Sequence, residues 1–224
     1  MTTRTLIYGV IAVPLFLADG LLLSTLPRVV TGFYSPGQLF PLLGGAFAYA
    51  IAHLFLRKPE RMYLWGHEFT HLVVAKLFLR RVHGFHITSR DGGKVVIDGT
   101  NVWIDLAPYL FPFYSLLALG GAALFPPAPV WGTTGYLVGA GFLFAMHVAF
   151  SCAGFLDGQP DLKRSGRFFS LGLVLLFLAG MMPLLAAPGI GGGWGRLAAI
   201  YAAWGKAAAG SAKGLFLAGS GILE

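Results

Sequence analysis

His67, Glu68 and His71 form the pattern H-E-x-x-H inside the mostly apolar run YLWGHEFTHLVVAKLF, residues 63–78. Residues four apart share one face of a helix, so His67 and His71 can offer two imidazoles to one metal ion. Glu68 lies one step round and can serve a metal-activated water as general base. With six His in 224 residues, chance would produce this pattern in about two chains per thousand. The plainer alternative is that neighbouring polar groups satisfy all three side chains. An ionisable triplet in a membrane helix is costly, however, and points to function. Catalytic zinc sites take three protein ligands and keep one position open, so a third ligand is needed. His147, Asp157 and Asp161 are the candidates. Depth along the helices mildly favours His147 if its helix stays regular. It admits Asp157 if the chain unwinds near Gly154 and Gly158 inside the protein. Asp161 follows Pro160 and also reads as a helix-start residue at the positive end of the next helix.

The elements that would position these groups are apolar runs. The chain is 56% hydrophobic and 11% charged, with mean hydropathy +0.73; soluble domains carry about 25% charged residues. Runs near the roughly 20 residues needed to span a bilayer occur at 6–26, 38–56, 62–79, 108–125, 134–156 and 168–185. The fold expected is an all-α polytopic membrane protein of about six transmembrane helices, a single domain over residues 1–224. The first run resembles a signal peptide but is long and lacks a clear cleavage site, so it reads as a retained anchor. Residues 27–36, with Pro27, Gly32 and Pro36, read as a turn-rich loop.

Residues 82–106 follow a different grammar. Phe85, Ile87, Val95–Ile97, Val102 and Ile104 flank Asp91-Gly92-Gly93 and Asp98-Gly99, the signature of a small β-hairpin after the H-E-x-x-H helix. Open sheet edges are not tolerated against lipid, so the hairpin belongs at the interface or against protein. Beyond a flexible break at 188–195, the Ala/Gly-rich tail at 196–224 can lie on the membrane or form a poor seventh span. His53 reads as a satisfied interfacial residue, and His83 and His86 as solvated. Asp19 reads as a protonated or hydrogen-bonded carboxyl.

The net charge of +7 sits mostly in short loops, where topology and anionic lipid explain it better than nucleic acid. With the hairpin side cytoplasmic, eight Lys/Arg lie on that side and seven on the other, a slight excess in the sense of the positive-inside rule. Cys152, the single cysteine, permits no intramolecular disulfide.

GHEFTHLVVAKLFLRRVHGFHI (residues 66–87), followed by a hairpin and later FLDG (residues 155–158), resembles the site-2 protease family of intramembrane zinc metallopeptidases. The resemblance implies zinc held by His67 and His71, with Asp157 as third ligand and Glu68 as catalytic base. It further implies a membrane protein or peptide substrate, and an active site toward the cytoplasmic face of a bacterial inner membrane. The chain departs from the family in lacking a PDZ-like insertion. It has SCAGFLDG (residues 151–158) where the family has an asparagine-proline approach. HVAFS (residues 147–151) with GQPDL (residues 158–162) also resembles a divergent bacterial branch in which the Q-P-D aspartate matters, so Asp161 and His147 stand beside Asp157. The competing classes are a membrane ion or proton relay and an inactive scaffold that binds membrane helices through its Gly-rich spans. An intact Glu68 weighs against the scaffold.

Overall fold

The computed structural model describes residues 3–56, 58–88, 92–127, 131–189 and 193–220. Asp91, residues 190–192 and residues 221–224 of the sequence reading above lie outside that set, as do Arg57, Arg90 and Pro129. The described chain is predominantly helical: α1 (Thr3–Phe33), α2 (Pro36–Phe55), α3 (Glu60–Leu77), α4 (Val102–Leu110), α5 (Phe113–Leu124), α6 (Trp131–Asp157), α7 (Pro160–Arg164), α8 (Arg167–Ala186) and α9 (Gly193–Ser220). One antiparallel hairpin interrupts it, β1 (Val82–Thr88) with β2 (Gly92–Ile97), in the register Phe85↔Val95 and His86↔Lys94.

Four helices are long and apolar enough to cross a membrane: Leu6–Phe33, Pro36–Phe55, Gly132–Asp157 and Arg167–Gly189. A fifth is present if α4 and α5, bent by 70°, count as one span. The helix α3 carries Glu60, Arg61, Glu68 and Lys76 and is not among them. The exposed faces of α1 and α2 are apolar, with Leu17, Phe40 and Phe47 all more than half exposed. In water such continuous patches would drive association; against lipid they are the stable surface.

Three boundaries differ from the sequence reading. The loop expected at 27–36 is mostly helix, because α1 continues through Pro27 to Phe33. Proline inside a helix removes one backbone bond, here the one to the Leu23 carbonyl, and α1 absorbs that loss; nearby, Thr25 Oγ1 donates to the Leu21 carbonyl at 2.9 Å and Thr31 Oγ1 to that of Pro27 at 2.9 Å. The run 108–125 is not one straight helix. Residues 102–106, expected within the hairpin, begin α4 instead: Asn101 accepts from the Ile104 N–H at 2.9 Å, an N-cap that outweighs the β-branched Val102 and Ile104. In the tail, α9 packs on α1 and α8, with Trp204 Nε1 donating to the Leu22 carbonyl at 2.9 Å and Ile200 buried.

Two packing features fix the frame. The helices α2 and α6 touch backbone to backbone at glycines. A Cβ at Gly45 would stand 1.9 Å from the Val138 carbonyl oxygen, and one at Gly141 would stand 1.9 Å from that of Leu42. Small residues permit such close approach where lipid supplies no hydrophobic drive between helices. The platform under the site is α4, buried from Ile104 to Leu110. Ile104 and Ala107 pack with Val74 and Ala75 of α3, and with Val82 and Ile97 of the hairpin.

Candidate metal centre

His67 and His71 lie one turn apart on α3, as their spacing requires, with ring centroids 4.9 Å apart. The residue brought to them is Asp161. Its Oδ2 stands 3.3 Å from His71 Nε2 and 3.7 Å from His67 Nε2. Ligand atoms of the three residues all lie within 4.8 Å of one another, and they form the one such group among the described residues. Donors about 2.0–2.1 Å from a tetrahedral zinc lie about 3.3 Å apart, close to the 3.3 and 3.7 Å that separate Asp161 from the two imidazoles.

The protonation pattern points the same way. His71 Nδ1–H donates to the buried Ile104 carbonyl at 2.7 Å, which leaves the Nε2 lone pair of the neutral imidazole facing a carboxylate oxygen. Two acceptors 3.3 Å apart call for a proton or a cation between them. Such an outward bond from a ligating imidazole is also how proteins fix the tautomer and ring of a metal ligand. With a proton in the position between the acceptors, the upward push of burial on the Asp161 carboxyl is outweighed by the interaction with His67 and His71, which holds it well below the ordinary carboxylate range. Two imidazoles and one carboxylate, with room for a fourth ligand, suit a catalytic zinc.

Asp161 arrives by a local turn. The helix α6 stays regular through Asp157, and Gly158 then takes φ +66°, a left-handed conformation that glycine adopts without strain. The Gln159 N–H bonds back to the Gly154 carbonyl at 3.1 Å, and Pro160 opens α7. This reversal carries Asp161 back over α3. Asp157, the leading third ligand on family resemblance, remains exposed at the end of α6 and is not part of the group. The unwinding that would have turned it inward does not occur. His147 is buried, but its Nε2–H donates to the Tyr109 carbonyl at 3.0 Å, making it a strut between α6 and α4.

Glu68 is buried beside the pair, under the hairpin. Its carboxyl faces β2, where it lines a cavity with Val95. Gly93 makes the covering strand fit, because a Cβ there would stand 2.4 Å from Glu68 Cγ. Cavities flank the group on two sides. One of about 450 Å³ is lined by Glu68, His71, Asp161 and β2. The other, of about 320 Å³, is lined by His67, Tyr63, Tyr109 and Asp157.

The remaining polar residues fall elsewhere. His53 bonds the Tyr49 hydroxyl at 3.0 Å, the satisfied state expected of it. His83 pairs with Asp98 on the exposed hairpin, and His86 is exposed. Asp19 is buried near the middle of α1, with neither carboxylate oxygen partnered among the described residues. The sequence reading missed Asp105 and Arg164, which stand behind Asp161. A charged residue in the apolar stretch VWIDLAPYL (Val102–Leu110) was the available signal.

Compared with known proteins, the chain matches no protein-family model, no curated protein and no solved structure.

Proposed function

We propose that this protein is an intramembrane zinc metalloprotease, with His67, His71 and Asp161 as ligands and Glu68 as general base. The observation that carries the reading is the convergence of Asp161 on the H-E-x-x-H pair, with Glu68 buried beside them. In this reading α3 and the α4–α5 pair cross the membrane with the four long apolar helices, giving six spans. The active site opens toward the cytoplasmic side of a bacterial inner membrane.

The chemistry zinc supplies at such a site is Lewis acidity, which acidifies a water toward pKa of about 7 and polarises a carbonyl. Glu68 takes the proton from the attacking water and returns it to the leaving amine. Packing against Gly93 of β2 holds the Glu68 carboxylate in place while it does so. A membrane helix shields its own peptide bonds, so the substrate must be extended locally. Among the described residues the hairpin pairs only β1 with β2, and an extended segment added to β2 would run along the larger cavity, past Glu68 and Asp161.

The direct test incubates purified protein in detergent with a library of hydrophobic peptides and reads products by mass spectrometry. The expected result is cleavage between apolar residues, stopped by a zinc chelator and restored by zinc. Cleavage that survives chelation, or none by the zinc-loaded protein across the library, would overturn the proposal.

Gly93 supplies a second prediction. Gly93→Ala places a methyl where Glu68 Cγ now packs, and displacing a catalytic group by about 1 Å can cost about 100-fold. Cleavage should fall by that order while bound zinc is unchanged. A wild-type rate in Gly93→Ala would show that β2 does not position the base.

A further inference from the structure

Behind the three candidate ligands stands a second row of polar groups, built from the first turn of α4, Thr100 just before it and Arg164 of α7. Asp105 is 2% exposed, and charge so deeply buried is costly unless it is paired. Its Oδ1 accepts from Thr100 Oγ1 at 2.6 Å and from Arg164 Nη1 at 3.1 Å. The same guanidinium nitrogen stands 3.4 Å from Oδ1 of Asp161. The other Asp161 oxygen, Oδ2, is the one facing His67 and His71. Arg164 therefore holds one oxygen of the Asp161 carboxylate and leaves the other to the metal position.

We propose that Asp105 is a positioning residue for the metal centre, acting through Arg164 to orient the Asp161 carboxylate. The proposal rests on the zinc reading above. The Arg164 side chain is 54% exposed, and a long side chain half in water holds no fixed geometry without an anchor. Asp105, locked in α4 and bonded by Thr100, supplies that anchor. It also balances the guanidinium charge, so that Asp161 keeps its own charge for the ion. Ile104, the preceding residue, accepts from His71. One turn of α4 thus orients His71 directly and Asp161 through Arg164.

The test is zinc affinity, measured by chelator competition on purified wild-type protein, Asp105→Asn, Arg164→Met and the double variant, with thermal unfolding of the zinc-free proteins alongside. Loss of an outer partner of a metal ligand typically weakens binding 10- to 100-fold. Asp105→Asn should fall in that range, because it both frees Arg164 and leaves its charge beside the ion. Arg164→Met should weaken binding less, and the double variant should be no weaker than Asp105→Asn, since the two residues act as one unit. The visible spectrum of the cobalt-substituted protein should change in both single variants. A role in packing alone would lower thermal stability and leave zinc affinity and the cobalt spectrum unmoved. Wild-type affinity in either single variant, or losses that add in full, would overturn the proposal. Arg164→Met tests it alone if Asp105→Asn does not fold. A wild-type protein that binds no zinc would fail the metalloprotease reading itself, whereas a zinc-binding wild type with unaffected variants would fail this inference only.

Discussion

Replacing Glu68 with Gln is expected to abolish peptide cleavage and leave zinc in place. Gln has the same shape and can keep the packing against Gly93 of β2, so the fold and the hairpin cover stay intact. It cannot take up a proton. General-base catalysis contributes about 100- to 10,000-fold, and a loss in that range should appear in kcat with metal content unchanged. Glu68 does not belong to the ligand group, which is why activity and zinc should separate in this variant. Mass-spectrometric product counts beside zinc analysis on one preparation would decide it. Substantial cleavage by Glu68→Gln would remove Glu68 from the mechanism.

A single methyl at Gly141 is expected to damage the frame severely, as one at Gly45 would. Its Cβ would stand 1.9 Å from the Leu42 carbonyl oxygen, and backbone cannot turn aside as a side chain can. Overpacking in cores costs about 1–3 kcal/mol, and Gly141→Ala should reach the upper end because α2 and α6 must part. At about 2–4 °C per kcal/mol for a chain of this size, the melting temperature in detergent should drop by roughly 6–12 °C. Gly139, two residues earlier on the same helix, has nothing within 4 Å of an added Cβ. Gly139→Ala should leave the melting temperature unchanged or raise it slightly. Equal melting behaviour of the two variants would show that the glycine contact does not hold the helices together.

What the sequence disclosed, and what it hid, follows from how local each signal is. The H-E-x-x-H spacing places two imidazoles together through helix geometry alone, so that half of the site was legible. Apolar length gave the long helices for the same reason, and β-branched runs around glycine turns gave the hairpin. Which of the three candidates joins the pair was not legible, because depth along the helices was weighed for His147 on a regular α6 and for Asp157 on an unwound one. Instead Gly158 and Pro160 turn the chain back within a few residues, and Asp161 reaches the site through that reversal. The α4 boundary was misread because Val102 and Ile104 suit a strand, while the Asn101 cap and burial on every side made a helix. Pro27 looked like a loop residue, yet α1 runs through it to Phe33 at the loss of one backbone bond. Asp105 and Arg164 are 59 residues apart, and no local pattern connects them.

The most direct test of the central claim is zinc per chain in the purified wild type beside Asp161→Ala, Asp157→Ala and His147→Ala. The account predicts about one zinc in the wild type, in Asp157→Ala and in His147→Ala, with loss in Asp161→Ala. Zinc retained by Asp161→Ala and lost with Asp157→Ala would contradict the assignment of the third ligand. No zinc in the wild type, even after reconstitution, would contradict the metalloprotease reading altogether.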